Sequence, residues 1–384
     1  MNLLVIFYQF LIVALVAPFA AGLVKFFKAR LQGRRGASPF LPYFTILTLL
    51  KKQMVISEST SWVFRISPFI VFGTSLFMAL VLPLMTANLA LVTFSNFIIV
   101  AGILILGAIF LVFGGLESAS AFGGMGASRE MTITALIEPT VLLIFGTLAL
   151  NSGSTEISNM VLHLDFLKNP FIIPTILALA LVALAENARY PVDNPATHLE
   201  LTMVHEAMVL EYSGPYLALL EYASFLKLTF FSLLVANFIW PIGLITGSIT
   251  NNFALSLVIA PLILLAKIIV MMFLLALLES TIVKMRFYRI QEYATVAFFL
   301  ALGGIILTLV NITILGSRPN FLPIFLQADY YLPLSGGSAK SAYCRCSAIL
   351  RLPPFFWLLL AELSPFHAEN RNCISARSPQ FFSR

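Results

Sequence analysis

The sequence predicts an all-α polytopic membrane protein: a helical bundle of about eight transmembrane helices with an acidic helix in a cytoplasmic loop. Of the 384 residues, 60% are hydrophobic and 10% are charged, and the mean hydropathy is +0.97. The apolar residues form runs of about 20, the length that spans a bilayer core. This composition leaves room for several crossings and short loops, but for no large soluble domain.

Eight apolar segments are predicted to cross the membrane. In chain order they are 3–23, 67–85, 94–114, 132–151, 171–186, 216–243, 253–280 and 292–315. The first lacks the basic start of a signal peptide. The fifth is short and has Pro170 and Pro174 near its start, so it needs buried neighbours or tilt. The membrane domain is therefore predicted at 1–315, and an atypical, poorly ordered tail at 316–384.

The loops differ in charge, and this predicts their orientation. Loop 24–66 carries eight Lys and Arg residues against Glu58 alone, whereas loops 86–93 and 244–252 carry no charge. Because Lys and Arg concentrate in cytoplasmic loops, loops 24–66 and 187–215 are predicted to face the cytoplasm. All the substantial loops then lie on one face, which suggests a docking surface. The simpler alternative is that polar loops must lie somewhere.

Composition also argues against several classes of site. The net charge of +6 comes from loop residues and indicates topology, so no nucleic-acid partner is predicted. Cys344, Cys346 and Cys373 all lie in the tail, so the membrane domain has no thiolate for an iron–sulfur cluster or a nickel site. His198 and His205 lack the i, i+4 spacing of a zinc helix. We therefore predict no metal and no cofactor in this chain.

The segment 186–221 concentrates acidic residues between two apolar spans. Its 36 positions hold one basic residue, Arg189, and six carboxylates: Glu186, Asp193, Glu200, Glu206, Glu211 and Glu221. Like charges that lie close together raise one another's pKa. Carboxylates that titrate near neutral pH suit a proton relay. The alternative is a surface helix with solvated charges.

Part of this segment has the signature of a helix. Asn194 can cap it, Pro195 suits its first position, and a periodic run continues to Tyr212. At about 100° per residue, Glu200 and Glu211 would share one face.

Charged residues also occur inside the spans or at their ends: Glu138, Glu186, Glu221, Lys227, Lys267 and Glu279. Lys267 lies well inside its span, and we expect a carboxylate as its partner. Glu138 lies in the second turn of its predicted span, before Pro139, which can loosen the helix. Glu186 and Arg189 are three residues apart and are expected to share a helix face. For each residue, snorkelling or a structural ion pair is the alternative.

One long motif resembles a known family. The run E-N-x-R-x-P-V-D-N-P-A-T-H-L-E-L-T-M-V-H-E-A-M-V-L-E-Y-S-G at 186–214 resembles the membrane subunit that docks the hydrogenase module in formate hydrogenlyase and hydrogenase-4 complexes. That family is similar to the heel subunit of complex I, the NADH dehydrogenase subunit 1 family. The basic, glycine-containing loop 30–36 matches as well. The resemblance covers 1–315.

The resemblance implies a non-redox subunit of an energy-converting nickel–iron hydrogenase complex, in the cytoplasmic (inner) membrane of a bacterium or archaeon. Its implied partners are the nickel–iron hydrogenase large subunit, the iron–sulfur small subunit, antiporter-like membrane subunits and the lipid bilayer. Its implied role is to couple electron transfer to proton or sodium translocation.

The candidate residues for this role form two sets. The predicted docking residues are Arg30, Arg34 and Arg35. The predicted ion-coupling residues are Glu138, Glu186, Arg189, Asp193, Glu200, Glu206, Glu211, Glu221 and Lys267.

Three alternatives remain open at this stage. A quinone-site subunit of a complex I-type dehydrogenase is one, although Val192-Asp193-Asn194 and Thr197-His198 depart from the complex I pattern and favour the hydrogenase branch. A secondary transporter is another; it predicts internal inverted repeats, and the sequence shows no convincing one. A structural scaffold is the third, and it leaves the clustered acids unexplained.

Overall fold

The computed structural model describes residues 2–56, 60–85, 92–164, 170–189, 205–241, 244, 253–281 and 287–315. Helices account for almost all of this part of the chain, and no β-sheet occurs in it, which confirms the all-α prediction. In order, the helices are α1 (Asn2–Leu31), α2 (Leu41–Lys51), α3 (Trp62–Val81), α4 (Phe97–Glu117), α5 (Ala121–Ser152), α6 (Ile157–His163), α7 (Ile173–Glu186), α8 (His205–Val209), α9 (Gly214–Ile239), α10 (Phe253–Thr281) and α11 (Phe287–Leu315).

Seven helices in the described part of the chain are long and apolar enough to cross a bilayer: α1, α3, α4, α5, α9, α10 and α11. The fifth predicted span corresponds to α7, which has 14 residues. At about 1.5 Å per residue it extends roughly 21 Å, short of a hydrocarbon core of about 30 Å. The eight predicted spans thus correspond in order to eight helices, seven of them of full length, and the polytopic bundle is confirmed.

The first helix extends further than predicted. Hydropathy places its end near residue 23, but α1 continues to Leu31, so several basic residues of the predicted loop lie on its last turns. Gly33 then adopts a positive φ of 71°. The Arg34 N–H donates to the Ala29 carbonyl at 2.8 Å, and the Gly33 N–H to the Arg30 carbonyl at 3.0 Å. This is the left-handed cap for which glycine is favoured.

Helix α2 was not predicted and lies inside the predicted loop 24–66. Its sequence is apolar but only 11 residues long, too short for a span. The Tyr43 hydroxyl donates to the Leu15 carbonyl of α1, which fastens α2 to the side of the bundle. Phe44 and Leu47 remain exposed. The loop therefore contains a short apolar helix that packs on α1 and α9.

Helix α9 lies at the centre of the fold, because it contacts α1, α2, α3, α7 and α10. Its side chains Phe230, Phe231 and Phe238 are fully buried. They join Phe145 of α5 and Met78 of α3 in the main hydrophobic core. Because α9 carries charged residues through this core, the helices that pack against α9 supply the partners of those charged side chains.

The connection between the predicted spans 94–114 and 132–151 is much shorter than those bounds imply. Helix α4 continues to Glu117 and α5 begins at Ala121, so only three residues connect them. The small residues of this stretch serve close packing. A Cβ atom added to Gly115 would lie 3.0 Å from the Cβ of Met208, so glycine permits α8 to rest directly on α4.

Tyr212 fixes the chain after α8. Its ring stacks on Phe64 of α3 with the centroids 4.1 Å apart, and its hydroxyl donates to the Phe64 carbonyl at 3.3 Å. Burial raises the pKa of Tyr212 to about 12, so the phenol keeps the proton that it donates. The short connection between α8 and α9 is thereby held against α3 before α9 begins.

Candidate functional site

A cavity of about 190 Å³ opens among α1, α3, α4, α5, α9 and the ends of α7 and α8. Its ionisable lining residues are Lys25, Glu130, Glu186, Arg189, His205, Glu206, Glu221 and Lys227. We call this site the charged cavity. Apolar side chains of α3 and α4 complete its wall. Charged groups in such a setting are costly and mark functional sites by default.

One ion pair of the charged cavity joins Glu186 to Lys227. Helix α7 ends at Glu186, whose Oε2 lies 2.6 Å from the Lys227 Nζ. Lys227 lies near the middle of α9, a helix of 26 residues. The exposed fractions of the Lys227 and Glu186 side chains are 27% and 12%. The pair is therefore only partly shielded and faces the open space of the cavity.

The chain turns sharply after Glu186. Ala188 has a positive φ of 47°, and the Arg189 N–H donates to the Leu184 carbonyl at 3.0 Å. Because α7 has ended, the prediction that Glu186 and Arg189 share a helix face is wrong. The Arg189 guanidinium instead extends to Oε1 of Glu279 on α10, at 3.4 Å.

Glu279 binds two cations. Its Oε2 lies 3.0 Å from the Nζ of Lys28, in the last turns of α1, and its other oxygen meets Arg189. Sequence reasoning identified Glu279 and Lys227 as charges inside spans or at their ends, but included neither in the predicted ion-coupling set. The requirement that a buried carboxylate have a cation nearby is the signal that could have found them.

Asn187 adds a neutral polar group to the cavity wall. Its Nδ2 donates to the Ala183 carbonyl at 2.6 Å. Its Oδ1 is buried, and no donor reaches it among the described residues. A buried amide oxygen is costly to leave without a hydrogen bond. The Asn187 Oδ1 is therefore suited to accept a hydrogen bond from a water in the cavity.

Glu138 lies close to the same centre. Because α5 begins at Ala121, Glu138 lies near the middle of its helix and not in the second turn, as predicted. Glu138 and Glu186 line one small cavity together with apolar residues of α4. Among the described residues, no Lys, Arg or His nitrogen lies within 4.0 Å of Glu138. Glu186 therefore pairs with Lys227 and also lines a small cavity together with Glu138.

The remaining predicted acids are divided. Glu206 and Glu221 line the charged cavity, whereas Glu211 is exposed in the turn after α8. Asp193 and Glu200 lie outside the described residues, as does most of the predicted helix that contains Glu200. The structure thus brings Glu186, Arg189, Glu206 and Glu221 together.

Lys267 lies elsewhere. Its Nζ donates to the Asn237 Oδ1 at 2.8 Å, and it does not line the charged cavity. Within the described part of the chain its partner is this neutral amide and no carboxylate oxygen lies within 4.0 Å, so the expected carboxylate partner is wrong there. Asn237 in turn donates to the carbonyls of Pro83 and Leu84, at 2.9 and 3.2 Å. A role for Lys267 in ion coupling stays a prediction.

Gln9 binds the same stretch of backbone from α1. Its Nε2 donates to the Leu82 carbonyl at 2.9 Å, and its Oε1 accepts from the Met85 N–H at 3.2 Å. We call Gln9, Asn237, Lys267 and the backbone of 82–85 the amide network. Its side chains satisfy backbone groups that follow the end of α3.

The predicted docking residues lie together at the end of α1. Arg30, Arg34 and Arg35 are all exposed. The Arg30 guanidinium carbon lies 5.4 Å from the centroid of the Phe26 ring, a distance suited to a cation–π contact. We call residues 30–35 the docking turn. It presents three guanidinium groups, which bind carboxylates in a bidentate manner.

Comparison with known proteins agrees with this architecture. The sequence profile of the family described as NADH dehydrogenase matches residues 3–310. Formate hydrogenlyase subunit 4 of Escherichia coli (strain K12) is 32% identical over 285 residues, 72% of this chain and 89% of that protein. Hydrogenase-4 component C of the same strain is 30% identical over 303 residues, 76% of this chain and 91% of that protein.

A solved structure shows the same fold. A chain in the structure of the membrane-bound sulfane sulfur reductase, an archaeal respiratory membrane complex, superposes with a TM-score of 0.66 at 18% identity. The match covers 80% of this chain and 98% of that chain. With the profile match and the two relatives, the chain belongs to the NADH dehydrogenase family, and it is similar to the formate hydrogenlyase and hydrogenase-4 components within it.

Proposed function

We propose that this chain is the non-redox membrane subunit of an energy-converting hydrogenase complex in a prokaryotic inner membrane. It anchors a soluble electron-transfer arm and couples that arm to translocation of protons or sodium ions. Membership of the family and likeness to two hydrogenase-complex components support this. The observation that carries the proposal is the charged cavity, because a scaffold alone does not need opposed charges around an open space inside a membrane bundle.

The arm docks on the face that carries the docking turn. Its proposed members are a nickel–iron hydrogenase large subunit and an iron–sulfur small subunit, with antiporter-like subunits beside this chain in the membrane. The left-handed cap at Gly33 fixes the backbone of the turn, and the side chains of Arg30, Arg34 and Arg35 are exposed on it. The acidic segment, with Asp193 and Glu200, belongs to the same face in this proposal.

Coupling then proceeds through the charged cavity. A cavity of about 190 Å³ has room for several waters, because a single water needs about 10–15 Å³ of such volume. Glu206 and Glu221 line the cavity, and Glu186 faces both Lys227 and Glu138. Protonation of Glu186 would weaken its attraction to Lys227 and its repulsion of Glu138. The protonation of one carboxylate thus affects the next, as an ion relay requires.

The docking part is tested by replacing Arg30, Arg34 and Arg35 together with Ala. Loss of three fixed charges should release hydrogenase subunits into the soluble fraction, while this chain remains in the membrane. Lys51 and Lys52, which are basic and exposed in the same loop, provide the matched double-Ala control and should keep the arm bound. Full retention of the arm by the triple variant in high salt would exclude the docking turn.

The coupling part is tested with Glu186→Gln. Glutamine keeps the size and an acceptor for Lys227 but removes the titrating proton. The complex should assemble and keep dye-linked hydrogenase activity, while ion movement falls. Glu292→Gln, at an exposed position of α11, is the control. If assembly and both activities fall together, Glu186 is a structural ion-pair partner and the relay is wrong.

A further inference from the structure

We propose that Glu279 is a positioning residue that connects the docking turn to the charged cavity, by holding Lys28 with one carboxylate oxygen and Arg189 with the other. The inference rests on the proposed function, because it assigns a consequence to docking. It adds a residue that neither the sequence motif nor the cavity lining includes.

The geometry gives each oxygen its own partner. Oε2 of Glu279 lies 3.0 Å from the Lys28 Nζ, and Oε1 lies 3.4 Å from the nearer Arg189 nitrogen. The Glu279 side chain is only 3% exposed, while those of Lys28 and Arg189 are 22% and 13% exposed. Removing a cation from a buried carboxylate strongly destabilises the folded protein, because the remaining charge is uncompensated. The position of one cation therefore constrains the other.

Lys28 lies on the docking side of this contact. It precedes Arg30 by two residues in the last turn of α1, and the helix ends at the docking turn. A helix turn moves as a unit because its backbone hydrogen bonds hold it together. A shift of the docking turn under a bound arm would therefore also displace the Lys28 ammonium group.

Arg189 lies on the cavity side. It lines the charged cavity three residues after Glu186 and immediately precedes the acidic stretch 190–204. Its guanidinium group is held by the contact with Glu279, while its backbone N–H donates to the Leu184 carbonyl at the end of α7. A change at Glu279 would therefore alter the position of a guanidinium group at the cavity, close to the Glu186–Lys227 pair.

Hydrogen exchange on the assembled complex tests the connection directly. Lys28→Met and Glu279→Gln should each speed exchange of the Ala188 and Arg189 amides, about threefold or more. In the Glu279→Gln background, Lys28→Met should have a much smaller effect than in the native background, because the shared carboxylate is already lost. Lys51→Met and Glu292→Gln are the controls. Additive effects of the two changes, or no effect of Lys28→Met alone, would overturn the proposal.

A second readout separates a positioning role from a purely structural one. In proteoliposomes, Glu279→Gln should lower the ions moved per hydrogen turned over about threefold or more, with arm retention and dye-linked activity unchanged. An unchanged ratio would contradict the positioning role. If Glu186→Gln leaves the ratio unchanged, the proposed function fails instead, while the exchange experiment still decides whether Glu279 connects Lys28 to Arg189.

Discussion

The charged cavity and the amide network place polar groups in one apolar bundle in different ways. In the charged cavity, full charges of both signs surround open space, and Glu138 has no cation within 4.0 Å among the described residues. In the amide network, two neutral side chains, Gln9 and Asn237, satisfy specific backbone groups. Side chains that bind specific backbone groups favour one rigid arrangement, whereas charged groups that line a cavity are accessible to water. This difference supports the proposal that the charged cavity takes part in ion coupling, whereas the amide network stabilises the fold.

The largest expected effect on stability is in the amide network. Asn237→Leu removes two bonds to the carbonyls of Pro83 and Leu84 and the acceptor of Lys267. Buried polar groups left unsatisfied cost about 1–3 kcal/mol each, so a loss of about 3 kcal/mol or more is expected.

Thermal unfolding of the detergent-solubilised protein measures this loss. Ser232→Ala on the same helix removes only a bond to the Leu228 carbonyl within α9 and should change stability by about 0.5 kcal/mol or less. Equal stability of the two variants would show that the amide network does not maintain the fold.

The next largest effect on stability is expected for the ion pair of the charged cavity. Lys227→Met leaves the Glu186 carboxylate without its cation, whereas the double variant with Glu186→Gln removes both charges. A double-mutant cycle should give an interaction energy of about 2 kcal/mol, with the double variant more stable than the sum predicts. Thermal midpoints of the four proteins provide the energies. Strict additivity would mean that the pair contributes no attraction.

These two regions also show how far sequence reasoning reaches. Apolar runs located the full-length spans, because hydrocarbon thickness sets their length. They missed the extension of α1 to Leu31 and the helical start of α5 at Ala121, since neither segment is apolar throughout and packing stabilises both. The partners of the charges could not be read either: Glu186 was identified, but its contact with Lys227 depends on where α7 ends against α9.

Lys267 illustrates the opposite case. A lysine inside a span predicts a carboxylate, and that rule rests on the cost of charge in hydrocarbon. In the structure the Lys267 ammonium group donates to the Asn237 side chain instead, because α9 places that amide beside it. Which neighbour a charge meets is a property of helix packing, and no local pattern encodes it.

A smaller effect concerns the wall that carries α8. Gly115→Ala should destabilise the protein by about 1.5 kcal/mol, because its Cβ would lie 3.0 Å from Met208 and overpack the contact. Gly124→Ala on α5 is the matched control: its Cβ meets nothing within 4 Å, and its better helix propensity should stabilise by about 0.5–1 kcal/mol. Unfolding midpoints compare them. A stability change of the same sign in both variants would contradict the close contact between α8 and Gly115 of α4.

The smallest effect concerns the turn after α7. Ala188 holds a positive φ of 47°, which costs an L-residue about 1 kcal/mol. Ala188→Gly should therefore stabilise the protein by up to about 1 kcal/mol, and Ala185→Gly, inside α7, should destabilise it by about the same amount. Thermal midpoints decide. Destabilisation by Ala188→Gly would show that the turn is not strained.

Ion movement in proteoliposomes that contain the whole complex tests the central claim most directly. Glu221→Gln changes a carboxylate of the charged cavity, while Lys267→Gln keeps a donor for Asn237 in the amide network. With both complexes assembled and active with dye, Glu221→Gln should lower the ions moved per hydrogen turned over, and Lys267→Gln should leave that ratio unchanged. Full coupling in Glu221→Gln together with lost coupling in Lys267→Gln would contradict the account.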